Sequence, residues 1–459
     1  MMRLLLIFSS FVIASLRSLL RSSTRFAVLA ASLCSAVITH SSFSAPPNVV
    51  VILADDLGYG DLGCYGHPKF KTPRIDQMAA EGVKMMQFNT PAPFCAPTRA
   101  SLMTGRYPFR CGMTQNPAPD GGAEADALAL PKAEITLAQV LKAAGYATGM
   151  VGKWHLGHKP GSLPTERGFD EYFGIPYSND MRPVQLLEGT AVAEYPVVQA
   201  TLTTRYAKRA TDFIQRNAKK PFFLYFAEAM PHKPLAASEK NDKKSGAGLY
   251  GDALLDLDDS VGTVLDALKQ NDVDENTLIL FSSDNGAWFG GSCGGLRGMK
   301  GTSWEGGYRV PMIARWPGKI PAGRVSSELA VMMDLFATVL AATGAKMPDD
   351  RVLDGRDLMP LLAGDAKSPH EIVFGHQGPK LVTILAPVEQ YNIDAHPGLK
   401  TGVEGAKGLL FDLQADPGEQ VDVASQHPDQ VKRLQAAFDA MNKDVPVVEE
   451  VKRAPYKKL

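Results

Sequence analysis

The feature that most constrains the fold is the short run Asn48-Val-Val-Val-Ile-Leu-Ala54, which ends abruptly on Asp55-Asp56-Leu57-Gly58. A nearly unbroken apolar run of this length reads as a strand buried on both faces, the habit of a parallel sheet. Parallel strands need long crossovers, usually helices, and the following sequence alternates accordingly. Residues 73–81 read as a short helix closed by Gly82. A second helix is expected from Pro97, because Pro suits the first helical turn. Residues 136–144 read as a helix ending at Gly145, and residues 252–270 repeat Leu and Val at helical spacing. Strands are expected over residues 146–152, 221–227, 277–283 and 310–315. The alternation predicts an α/β fold with a mostly parallel central sheet flanked by helices.

Past a helix expected over residues 334–343, the texture changes. Residues 346–369 are rich in Asp, Gly and Pro and read as a connection. Residues 370–459 hold strand-like pieces at 371–374, 381–386 and 408–413, then a helix at 428–442. They are expected to form a small C-terminal α+β domain beside a catalytic domain of residues 46–345.

Charge and export narrow the function. The chain of 459 residues carries 48 basic and 49 acidic side chains, so it lacks the broad basic footprint of a nucleic-acid binder. The first 45 residues contain no Asp or Glu. Two apolar stretches, 4–16 and 26–38, are separated by Arg17, Arg21 and Arg25. This reads as a signal peptide for a secreted or periplasmic protein, cleaved after Ala36 or Ala45. A retained anchor is the alternative, although neither stretch reaches the roughly 20 apolar residues of a comfortable span. The segment through Cys34 is a poor lipoprotein box. Cys64, Cys95, Cys111 and Cys293 remain after the signal, too few for a dense disulfide framework and without zinc spacing.

The strand ends carry the candidates. Asp55, Asp56, Lys153, His155, His232, Asp284 and Asn285 all fall at the C-terminal ends of predicted strands, where open α/β sheets bind ligands. Three carboxylates and an amide oxygen suit a hard cation, Ca²⁺ or Mg²⁺. Taken singly, Asp-Asp is as easily a turn or cap, Asp-Asn-Gly a hairpin turn, and a lone Lys or His a solvated residue. Four strand ends converging favour a site. Lys153 and His155 lie on one side of an extended segment, and Lys300 sits in a Gly-rich loop.

Cys95 opens the pentad Cys95-Ala96-Pro97-Thr98-Arg99, trailed by Thr104-Gly105-Arg106. By itself Cys95 reads as a buried thiol. The pentad and trailer resemble the signature of the type I sulfatases. So do Ala54-Asp55-Asp56-Leu57-Gly58, Gly152-Lys153-Trp154-His155-Leu156-Gly157, Asp284-Asn285-Gly286 and Lys300-Gly301-Thr302, in family order. Residues 174–180 and the Gly-rich run through Lys300 look most like arylsulfatase A and N-acetylgalactosamine-6-sulfatase. The resemblance implies an alkaline-phosphatase-like fold, one bound Ca²⁺, and oxidation of Cys95 to formylglycine by a maturation enzyme. The aldehyde hydrate would attack a sulfate monoester, and its second hydroxyl would later expel sulfate. Asp55, Asp56, Asp284, Asn285 and the group at 95 would hold the metal. Arg99 would hold the hydrate, Lys153, His232 and Lys300 would grip the sulfate and help the leaving oxygen depart, and His155 would aid collapse.

Two other functions remain open at this point. A phosphate or phosphonate ester hydrolase could share the fold, and a non-catalytic binder of sulfated polysaccharide could share the site. The substrate's organic part is the least legible, because only Pro379-Lys380-Leu381 hints at the family's substrate strand; Asp180, Trp288 and His376 are conceivable contacts.

Overall fold

The computed structural model describes residues 45–386, 389–392, 408–447 and 449–452. The signal expected over residues 1–45 lies, up to residue 44, outside the described residues. Among the described residues no helix is long and apolar enough to cross a membrane.

A ten-stranded sheet organises the chain. Its centre is the strand Asn48–Ala54, flanked in parallel by Thr277–Ser283 on one side and Phe222–Ala227 on the other. Ala147–Gly152 and Glu171–Gly174 continue the parallel set beyond Phe222–Ala227. Antiparallel pairings follow on both sides: Met312–Arg315 with Thr277–Ser283, and Leu186–Glu188 with Glu171–Gly174. The five central strands are parallel, and antiparallel pairings appear only on either side of them.

Period-two alternation explains its two cores. Val49, Val51 and Leu53 join Phe223, Tyr225, Leu278 and Leu280 on one face, against the helices Cys95–Thr104, Leu137–Ala143 and Asp334–Thr343. Val50, Ile52 and Ala54 join Phe222, Leu224, Ile279 and Phe281 on the other, against Pro73–Ala80, Leu202–Asn217 and Gly248–Gln270. A strand buried on both faces needs apolar residues throughout, which is why the sequence shows a run rather than an alternation.

The helix expected from Pro97 starts two residues earlier, at Cys95, with Phe94 extended before it. Pro97 still lies in the first turn, where its missing N–H breaks no helical bond. The long helix begins at Gly248 rather than near residue 252. Thr136 caps Leu137–Ala143 in a reciprocal box with Gln139.

The C-terminal strands Val373–Gln377, Lys380–Leu385, Glu389–Asn392 and Leu409–Asp412 form a separate four-stranded antiparallel sheet. Phe374, Val382, Ile384, Leu385 and Leu410 of these strands share one cluster with Tyr107, Phe109, Tyr308 and Leu329, and with Leu434 and Phe438 of the helix Pro428–Asn442, whereas Phe411 packs on Trp304. Residues 46–459 form one compact unit.

Candidate active site

Register places the site. Gly152 pairs with Ala227, Ala227 with Leu53, and Ala54 with Ser283. Four strands thus end nearly level, and the next residues, Lys153, Glu228, Asp55 and Asp284, leave the sheet in one row. Glu228 alone turns away, towards the helix Gly248–Gln270, where the Ser260 hydroxyl donates to it at 2.8 Å. Gly152 makes the exit of Lys153 feasible. It has φ +110, and a Cβ there would stand 1.7 Å from the Ala227 carbonyl oxygen, so only glycine fits.

The row is buried and densely charged. Lys153 Nζ lies 2.6 Å from Asp55 Oδ2, and Lys300 Nζ 2.6 Å from Asp56 Oδ1. Arg99, on the helix Cys95–Thr104, holds Asp284 Oδ2 through Nε at 2.9 Å and Nη2 at 2.8 Å. Its Nη1 donates to the Lys153 carbonyl at 2.8 Å. Burial alone would raise the Asp55 carboxyl, but Lys153, His232 and Arg99 outweigh it and hold it below its ordinary range. The same contest lowers Asp56, with Lys300 the strongest opposing charge. Against desolvation, Asp56 holds Lys300 well above the ordinary lysine value.

Cys95 sits among these charges, 3.2 Å from Lys300 Nζ and 3.6 Å from Asp55 Oδ1. Burial, reinforced by Asp284, pushes its thiol well above the ordinary range. His232 Nε2 lies 3.6 Å from Asp56 Oδ2 and 3.4 Å from Ser178 Oγ. His155, at φ +62, has Nε2 3.2 Å from the Pro117 carbonyl.

The donor set fits a hard cation. Asp55, Asp56, Cys95 and His232 each offer a ligand atom within 4.8 Å of the others. Asp56 Oδ2 and Asn285 Oδ1 are buried without a hydrogen-bond partner, while Asn285 Nδ2 donates to Asp56 Oδ1 at 2.7 Å. Oxygens that face inward and lack donors are what an ion would satisfy. Asp284 is engaged by Arg99 and also accepts the Asp56 N–H at 3.2 Å. His232, expected to grip the sulfate and help the leaving oxygen depart, stands within the ligand cluster.

Sequence comparisons agree with this geometry. Residues 47–345 match the family model described as Sulfatase, and residues 299–444 the one described as N-sulphoglucosamine sulphohydrolase, C-terminal. Human N-acetylgalactosamine-6-sulfatase is 41% identical over 423 residues, covering 82% of this chain and 81% of that protein. Human arylsulfatase A is 38% identical over 472 residues, covering 89% of this chain and 91% of that protein. The chain belongs to the sulfatase family. The crystal structure of Ps i-CgsB in complex with k-i-k-neocarrahexaose superposes on it with a TM-score of 0.79 at 28% identity, covering 89% of this chain and 95% of that chain.

This sulfatase is a sulfuric ester hydrolase of alkaline-phosphatase-like fold, in a family whose members use formylglycine and a metal. Its site opens into a cavity of about 1070 Å³, lined by Cys95, His155, His232 and Lys300 and by residues the motifs did not single out. Ser178, within the family-like segment 174–180 but given no role by it, also lines the cavity; its Oγ accepts from Lys153 Nζ at 3.2 Å and so links Lys153 to His232. Asn116, Lys233 and Gln377 also line the cavity. Isolated polar residues in loops carry no pattern to find them by.

Asp180 and Trp288 line the cavity, but His376 does not. It is buried beside Tyr107 and Phe109, and burial lowers its pKa to about 3. Cys64, Cys95, Cys111 and Cys293 are all free thiols.

Proposed function

We propose that this sulfatase hydrolyses sulfate monoesters of sugars or aryl alcohols through a formylglycine made from Cys95, beside one Ca²⁺ ion. The observation that carries the reading is the convergence of Cys95 with Lys153, Lys300 and His232 over the carboxylates of Asp55, Asp56 and Asp284. A sulfate captured on a cysteine sulfur would have no easy release, whereas an aldehyde hydrate has a second hydroxyl to expel it. The ion, held by Asp55, Asp56, Asp284, Asn285 and the group at 95, would lower the hydrate's pKa and neutralise sulfate charge.

The remaining roles belong to the chain's own side chains. Arg99 fixes Asp284 and the Lys153 backbone, and so orients the group at 95. Lys153 and Lys300 bind sulfate oxygens as point charges and stabilise the charge that grows on them as the S–O bond breaks. Ser178 keeps Lys153 and His232 aligned. His232 Nε2, at the cavity, protonates the leaving alcohol. His155, whose Nε2 lies 3.2 Å from the Pro117 carbonyl, takes up a proton when the aldehyde is regenerated.

Residues 46–345 carry this chemistry, residues 346–369 connect, and residues 370–459 shape the mouth. The N-terminal signal sends the protein to the secretory path or periplasm, where a formylglycine-generating enzyme acts on the pentad. The sulfated group belongs to a sugar, as the names of the relatives suggest.

The test uses matched 4-nitrophenyl sulfate and phosphate with protein from its own host. Sulfate should be preferred, Cys95→Ala should lose several orders of magnitude in kcat/KM, and exhaustive chelation should abolish turnover until Ca²⁺ is returned. Full activity in Cys95→Ala, or a preference for phosphate, would overturn the reading.

A further inference from the structure

The strand Leu409–Asp412 is followed by a tight turn, Asp416-Pro417-Gly418-Glu419. Asp416 builds it. Its carbonyl accepts the Glu419 N–H at 3.1 Å, and its Oδ2 accepts the N–H groups of Gln420 and Val421 at 2.6 and 2.8 Å. Pro417 and Gln420 are exposed, yet Glu419 between them is fully buried. It also sits at φ +51, a left-handed backbone that a residue with a side chain rarely adopts. A buried carboxyl held at a strained position of an exposed turn points to a function.

Glu419 reaches the loop that carries Lys300. Its Oε2 accepts the backbone N–H of Glu305 at 2.8 Å, and Arg297 Nη1 donates to its carbonyl at 2.7 Å. Arg297 lies 3.7 Å from the centre of the Trp304 ring, and Trp304 packs on Phe411 and Leu413 of the C-terminal part. Both ends of the segment 297–305 are therefore fastened to one residue. The Gly306 N–H closes the base of this loop on the Arg297 carbonyl at 2.7 Å. Between the fastenings, Lys300 Nζ is presented to Asp56 Oδ1 at 2.6 Å and to Cys95 Sγ at 3.2 Å.

We propose that Glu419 is a positioning residue of the catalytic site: through the Glu305 N–H it holds the loop 297–305 closed, and so keeps Lys300 at Cys95 and Asp56. This rests on the sulfatase reading above and adds a residue that comes from the C-terminal turn rather than from the strand ends. The surroundings set the form in which Glu419 acts. Burial, and after it the Glu305 carboxylate that Arg309 pairs, raise the Glu419 carboxyl well above its ordinary range, against the weaker pull of Arg297 and Arg309. That favours the neutral acid, which needs only to accept at Oε2; Oε1 has no hydrogen-bond partner. A glutamine of the same length can accept in the same place, whereas an alanine leaves the Glu305 N–H buried without its acceptor.

A double-mutant cycle with Lys300 tests this, because a residue that acts through Lys300 loses its effect once Lys300 is gone. The parent, Glu419→Ala, Glu419→Gln, Lys300→Ala and the double variant Glu419→Ala with Lys300→Ala are compared on 4-nitrophenyl sulfate. Each preparation is normalised to its content of formylglycine at position 95, measured by mass spectrometry. Glu419→Ala should lower kcat/KM at least about tenfold in the parent and less than about threefold in the Lys300→Ala background. Glu419→Gln should stay within about threefold of the parent. The same fold loss from Glu419→Ala in both backgrounds would overturn the proposal and leave Glu419 a purely structural role. So would parental turnover in Glu419→Ala, or a Glu419→Gln as damaged as Glu419→Ala. Should Glu419→Ala not fold, Glu419→Met, of similar length but without the acceptor, takes its place in the same cycle. A parent that carries formylglycine and is inert on the reporter would instead overturn the sulfatase reading, and this proposal with it.

Discussion

Single residues at the ends of neighbouring strands have opposite fates here. Asp55 meets Lys153, His232 and Arg99 and is held below its ordinary range, while Glu228, in the same row, faces Ser260 and a helix. Burial pushes its carboxyl up to about 8, Asp256 adds to this, and the Ser260 hydroxyl offsets part of it. The folded protein therefore keeps a proton that the unfolded chain, with an ordinary carboxyl near 4.5, releases. Stability must fall as pH rises between these two values and level off above the upper one. Glu228→Gln removes the penalty. Its melting temperature should match the parent's at about pH 4 and exceed it by a growing margin up to about pH 8. A difference that stays constant with pH would refute this account of Glu228. None of this was legible in the sequence, where Glu228 is one more residue after a strand; its direction depends on which helix lies over it.

At the scale of elements, the strands announced themselves and their register did not. Runs such as Thr277–Ser283 need apolar residues on both faces, so composition betrays them. The level row of strand ends depends on pairings between residues far apart in the chain, such as Leu53 with Ala227. Gly152 is where register becomes chemistry. A methyl group there would collide with the Ala227 carbonyl and also strain a backbone at φ +110. Gly152→Ala should therefore separate the two strands at the site, lowering the melting temperature and turnover of 4-nitrophenyl sulfate together. Parental values for both would show that the junction is more pliable than its geometry implies. Helix boundaries shifted for a similar reason. Pro97 marks a first turn but not which position in it, so Cys95 became the first helical residue rather than a residue ahead of the helix.

Across the whole molecule, the family motifs located the reacting centre, and the walls around it came from elsewhere. Asp55, Asp56, Cys95, Lys153, His232 and Lys300 lie in blocks visible in the sequence, and the structure gathers them into one buried cluster. The rest of the cavity is drawn from distant loops, the C-terminal sheet and the tail at 450–452. Such walls are set by tertiary packing, so Gln377 and Val451 leave no periodic or motif signal, and Ser178 sits in the family-like segment 174–180 without a pattern that gives it a role. His376 was misleading for the converse reason: a histidine near the right strand is buried among aromatic rings instead of facing the cavity. The central claim is that the cluster works through an oxidised Cys95, and the most direct measurement is mass spectrometry of the tryptic peptide spanning residues 85–99, from protein made in its own host and active on 4-nitrophenyl sulfate. The account predicts the mass of an aldehyde in place of the thiol, in proportion to activity across preparations. A fully active preparation carrying only the unmodified cysteine would contradict it.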